Sequence, residues 1–216
     1  MLSCLFASSL IAAGAIAAPD EPPAAPRPAP TSGGALSTPA EIDKACDAAE
    51  KRVATHKQEP QIFGLVPPED GSSTAKGTWR SFSSREALER ATPDGPPDEQ
   101  AFVSPAGAGV VFVELFSTSD SGDWARFADL CYRPDGTLAR AVDTFNTFAA
   151  GDNDEGISRV HILQFDARGQ MIRKRSRLLD LQTRKPVKRS FMDEKDRIFK
   201  RLSDLPFSDL LSQPPR

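Results

Sequence analysis

The sequence predicts an α+β domain. Its centre is an antiparallel β-meander of about five to six strands, with an N-terminal helix packed on one face and a C-terminal helix. Three features carry this expectation. A proline-bearing capping box precedes a helical apolar stripe, two glycine-containing turns separate long apolar-rich runs, and a capped apolar stripe closes the chain. Strands in sequence with helices at both ends belong to the α+β class, not to an alternating α/β fold. The 216 residues are 39% hydrophobic and 26% charged, with a formal net charge of −3. That composition excludes a collagen-like chain, a polytopic membrane protein and a small disulfide-stapled toxin.

Residues 5–18 are apolar or small throughout. The run is shorter than the roughly 20 residues that span a bilayer core. Ala15-Ile16-Ala17 offers a small-x-small cleavage pattern, and Pro19-Asp20-Glu21 ends the run. This predicts a signal peptide over residues 1–17, cleaved after Ala17, and hence a secreted or periplasmic protein. Met1-Leu2-Ser3 carries no Lys or Arg, so the alternative is an uncleaved N-terminal membrane anchor. After cleavage the chain is not expected to be an integral membrane protein. Residues 18–37 hold six prolines and almost no bulky apolar side chain. Such a stretch buries too little surface to offset its chain entropy and predicts a disordered spacer. Residues 38–212 are then one α+β domain.

The elements follow in order. Thr38-Pro39-Ala40-Glu41 is a capping box with proline at the first helical position. Ile42, Cys46, Ala49 and Val53 follow at helical spacing, so the helix buries Cys46 and fades near His56. Residues 61–78 look like loop. Ser83-Ser84-Arg85-Glu86 opens a short helix to about Ala91, and residues 92–99 form a proline-rich loop. Residues 110–116 are a nearly continuous apolar strand. Runs 124–132 and 137–147 flank Arg133-Pro134-Asp135-Gly136; runs 159–165 and 170–179 flank Asp166-Ala167-Arg168-Gly169. Both tetrapeptides favour a type I turn with glycine left-handed, hence a hairpin. Ser190 to Asp193 should cap a last helix, with Phe191, Ile198, Leu202 and Leu205 on one stripe before Pro206.

Register arithmetic from these turns sorts the polar residues. In the first hairpin, paired residue numbers sum to 270, which puts Cys131 on a face with Phe127, Ala139, Ala141 and Phe145. Small alanines admit a helix, so Cys46 and Cys131 are expected to form a disulfide in an oxidising compartment. The same face would carry Asp129 and Asp143, a carboxylate pair of the kind that splits its pKa values for acid–base work. In the second hairpin the sums are 336. Arg159, His161, Arg173, Arg175 and Arg177 then share one face, with Arg159 opposite Arg177 and His161 opposite Arg175. Like charges so opposed are unfavourable and need a compensating group.

Charge is segregated along the chain. Residues 61–167 contain 17 acidic and 8 basic residues, whereas residues 168–201 contain 13 basic and 4 acidic. Neutralisation between neighbouring strands is one account, and a basic face for an anionic surface, polymer or acidic protein is the other. Nucleic acid is not expected, because the chain reads as exported and no aromatic residue interleaves the basic residues of 168–190. Neither a metal nor any other cofactor is expected. Asp152-Asn153-Asp154-Glu155-Gly156 resembles part of a calcium loop, but glycine comes fifth, not sixth, and Leu163 stands twelfth. The best reading is an exported, non-enzymatic binding or interaction module using Arg159, His161, Arg173, Arg175 and Arg177. The alternatives are a hydrolase-like enzyme using Asp129 and Asp143, or a structural envelope protein.

Overall fold

In a computed structural model, the described residues are 36, 38–55, 59–68, 77–92, 95–148, 156–188 and 195–211. The signal peptide, nearly all of the spacer, His56, the calcium-like acidic run at 152–155 and the cap at Ser190 lie outside them.

The first helix, α1 (Pro39–Thr55), starts where its capping box requires. The Thr38 amide donates to Glu41 Oε2 at 3.0 Å, and the Glu41 amide donates to Thr38 Oγ1 at 3.3 Å. Ile42, Cys46 and Ala49 form its buried stripe. The strands are β1 (Gln61–Val66), β2 (Thr78–Phe82), β3 (Glu99–Pro105), β4 (Val111–Thr118), β5 (Trp124–Tyr132), β6 (Leu138–Thr147), β7 (Ile157–Phe165) and β8 (Met171–Asp180). A short helix, α2 (Arg85–Glu89), follows β2, with Ser84 Oγ accepting from the Ala87 amide at 3.1 Å. All eight strands form one antiparallel sheet in the order β2-β1-β3-β4-β5-β6-β7-β8. From β3 onward it is a plain meander.

Two expectations are corrected. The sheet has eight strands, not five to six, because β1 lies inside the 61–78 stretch read as loop, and β2 and β3 occupy stretches between the loops and the first expected strand. β1 is a six-residue apolar run with glycine in its middle, a composition that argues against a strand. Here the glycine has a packing reason: a Cβ at Gly64 would come within 2.7 Å of Leu88 Cδ1, so its absence lets α2 sit on the sheet. The C-terminal helix is the second correction. Residues 195–211 run as an extended segment with two single 3-10 turns, Leu202–Asp204 and Ser208–Leu210. Their backbone bonds go to the sheet, not to a helix. Leu138 donates to the Lys200 carbonyl at 2.9 Å, Leu202 donates to the Gly136 carbonyl at 2.9 Å, and the Tyr132 hydroxyl donates to the Phe199 carbonyl at 3.0 Å. The fold is therefore mostly β with little helix.

The sheet is covered on both faces. On one, Ile42, Cys46 and Ala49 of α1 meet Phe112, Cys131 and Ala139. On the other, Leu205 and Phe207 of the C-terminal segment close over Phe63, Val113, Leu130, Tyr132 and Leu163. Burying each of the Ile, Val, Leu and Phe side chains among these stabilises by about 1.5–3 kcal/mol. We call these the α1 face and the C-terminal face.

Both long hairpins contain the same irregularity. At the turns the pairing is as expected, with Tyr132 opposite Leu138 and Phe165 opposite Met171. One step further each ladder slips by a residue: Cys131 pairs with Arg140, and Gln164 pairs with Arg173. Ala139 and Ile172 are the extra residues of two β-bulges. A one-residue slip exchanges the faces of everything beyond it on one strand.

Candidate functional site

The bulges change which of the polar residues singled out above share a face across the two hairpins. Asp129 pairs with Val142, and Asp143 pairs with Ala128. Cross-strand partners share a face, so Asp129 lies on the α1 face and Asp143 on the C-terminal face. The sheet separates the two carboxylates, and they do not form the acid–base pair that the simple register implies. The basic residues divide likewise. Arg159 pairs with Leu178 and His161 with Ser176, whereas Arg175 pairs with Ile162 and Arg177 with Val160. Arg159 and His161 face the C-terminal segment; Arg173, Arg175 and Arg177 share the α1 face. The expected like-charge oppositions do not occur.

On the C-terminal face, charges are buried as a network. Asp143 is fully buried and accepts two bonds from Arg126, Nε to Oδ1 at 2.7 Å and Nη2 to Oδ2 at 3.0 Å. Arg159 Nη2 donates to the same Oδ2 at 2.9 Å. Asp196, from the C-terminal segment, lies 2.6 Å from His161 Nδ1 and 3.5 Å from Arg159. Burial alone would raise the Asp196 pKa, but the His161 hydrogen bond and the charges of Lys174 and Arg159 hold it below its ordinary value. Asp143, His161 and Asp196 bring ligand atoms within 4.8 Å of one another. The donor set nevertheless suits no cation, because two guanidinium groups already bind Asp143 and one approaches Asp196. The network instead ties the C-terminal segment to the sheet.

The α1 face carries two further groups. Arg140 reaches Asp47, Asp43 (3.5 Å) and Glu50 (3.4 Å) of the helix. Asp43 also accepts from Gln164 Nε2 at 2.7 Å and from Arg175 Nη2 at 3.1 Å. Glu114 and Asp129 stand directly opposite each other on β4 and β5. Burial, then the neighbouring charges of Glu114 and Glu50, push Asp129 up to about 6, with Arg140 opposing. Burial also raises Glu114, although Arg85 pulls it down.

β8 is an edge strand, and Arg173 and Arg177 are exposed on it. Among the described residues no carboxylate lies within 4.0 Å of either. Only Arg175, between them, is tied down, by Asp43.

Cys46 and Cys131 form the expected disulfide, with their Cα atoms 5.9 Å apart, inside the range that a bridge spans. It joins α1 to β5 beneath Arg140.

Arg126, Arg140, Glu114 and Asp196 were not singled out in the sequence. One signal for Arg126 and Arg140 is a lone cation inside a short apolar run, Ala-Arg-Phe-Ala and Leu-Ala-Arg-Ala. Such a residue is buried only with a partner. Among the described residues no helix is long and apolar enough to cross a membrane. No protein-family model matches this chain, and neither a curated protein nor a solved structure matches it.

Proposed function

We propose that this protein is an exported, non-enzymatic binding module that meets an anionic polymer, surface or acidic protein with the outer arginines of β8. One observation carries the reading: Arg173 and Arg177 are exposed on the same face of an edge strand, with no carboxylate beside them among the described residues. Alternate residues of a strand stand about 6.6–6.8 Å apart. Arg173, Arg175 and Arg177 thus make a short ladder of regularly spaced cations, the middle one braced by Asp43. Guanidinium groups suit carboxylate, sulfate and phosphate alike, through paired N–H donors. The disulfide is consistent with an oxidising compartment and so with export.

A charged edge also keeps stray strands from pairing with β8, and in a structural envelope protein that could be its whole purpose. Retention on a sulfated matrix separates the two. If the ladder binds anions, retention should fall steeply as salt rises, since exposed charges are screened. Arg173→Glu/Arg177→Glu should abolish retention while leaving the circular-dichroism spectrum and the disulfide intact. Retention equal to the parent's would overturn the proposal.

A further inference from the structure

On the opposite face from that ladder, β7, β8 and the C-terminal segment border an open cleft of about 280 Å³. Leu163, Phe165, Met171 and Ile198 give it an apolar lining. Met171 is 55% exposed there, a large apolar side chain left in water at the cleft. Lys174 and Lys200 also line it, together with Asp196. The Asp196 carboxylate is engaged by His161 and Arg159, and Lys174 approaches it only to 3.7 Å. Lys200 has no carboxylate within 4.0 Å among the described residues. An apolar cavity with under-neutralised cations fits a guest that is apolar in body and negative at one end.

We propose that this cleft binds a small aliphatic carboxylate, its chain against Leu163, Phe165 and Ile198 and its head between Lys174 and Lys200. Pockets for drug-sized ligands begin at about 300 Å³, so the guest is a short-chain acid. The inference is independent of the β8 ladder, since neither Arg173 nor Arg177 lines the cleft.

The test uses the full chain with its methionine methyl groups labelled with carbon-13, because Met171 reports directly on the cleft. Hexanoate should move the Met171 signal along a saturating curve with a Kd of about 1–10 mM, as the small size of the ligand allows. Hexan-1-ol, which has the chain without the charge, and acetate, which has the charge without the chain, should each bind about tenfold more weakly. Lys200→Gln should weaken hexanoate about threefold or more and leave hexan-1-ol unchanged. A shift that never saturates, equal binding of hexan-1-ol and hexanoate, or indifference to Lys200→Gln overturns the proposal.

Discussion

Asp129 faces Glu114 directly across the β4–β5 ladder, with Glu50 of α1 nearby. Two carboxylates so placed cannot both ionise without cost. Asp129 is raised from 3.8 to about 6 by burial first and by these neighbours second. The native state therefore holds a proton over a pH range in which the unfolded chain has released it. Stability from this group is fully present below about 3.8, declines as pH rises towards about 6, and is level above that.

Removing the charge should accordingly stabilise the protein at neutral pH. A two-unit rise corresponds to about 3 kcal/mol before screening, and Asp129 keeps some contact with solvent, so about 1–2 kcal/mol is expected. Urea unfolding of Asp129→Asn beside the parent checks this. The variant should be more stable at about pH 7.5, and the gap should shrink towards zero at about pH 4. A gap that stays constant, or a variant less stable at neutral pH, contradicts the account.

Removing the charge of Asp143 should have the opposite effect on stability. This carboxylate is the common acceptor of two buried guanidinium groups. Asp143→Asn leaves Arg126 and Arg159 buried without their counter-charge, and breaking such a pair costs about 3–5 kcal/mol. Denaturant midpoints should show a loss of about 3 kcal/mol. Replacing all three together, as Arg126→Met/Asp143→Leu/Arg159→Met, should recover much of it, because an apolar substitute leaves no orphaned charge. A triple variant as unstable as the single one would mean that the network has another role.

The contrast between Asp129 and Asp143 explains what was legible in the sequence. The capping box of α1 and both hairpin turns rest on local chemistry and could be read directly, whereas the Cys46–Cys131 bridge is reached through the register, of which Ala139 stays on the face of Cys131 and Ala141 and Phe145 do not. Gly136 and Gly169 take the left-handed conformation that the turns demand, with φ of 79° and 76°. The faces could not be derived from the turns alone, because each ladder slips one pair beyond its turn. The trace of that slip is a consecutive apolar doublet beside each turn, Leu138-Ala139 and Met171-Ile172, where strict alternation would put one polar residue. Ala139 is buried against α1 while Leu138 is buried against the C-terminal segment. The helical stripe at Ile198, Leu202 and Leu205 misled for a different reason. The sheet offered that backbone better partners than a helix did, through Leu138, Gly136 and Tyr132.

The disulfide should matter more to stability than to shape. It closes a loop whose ends are 85 residues apart, worth about 4 kcal/mol in the chain-entropy account. Both sulfurs are buried, so thiol labelling must be done on protein unfolded without reductant. No label should enter at Cys46 or Cys131 before reduction, and two labels should enter after it. Cys46→Ala/Cys131→Ala should unfold at lower urea with a similar circular-dichroism spectrum. Labelling of both cysteines before reduction contradicts the bridge.

The C-terminal segment closes the core, and its role can be tested at Phe207. This ring stacks on Phe63 with centroids 4.7 Å apart and lies 4.9 Å from Trp79. It is 1% exposed, although the segment that carries it has no helix to hold it in place. Its anchorage is therefore tertiary: the ring itself, Leu205 beside it, and the carbonyls of Phe199 and Lys200 bound to the sheet. Phe207→Ala removes the ring and leaves a cavity, which costs about 3–5 kcal/mol in a well-packed core. The cavity borders Trp79, so the fluorescence of that tryptophan should shift to longer wavelength; Trp124, which packs on Phe145, should not contribute. A Trp124→Phe background isolates the signal. If Phe207→Ala loses less than about 1 kcal/mol and leaves Trp79 unchanged, the segment only rests on the sheet. The core would then have to be complete without it.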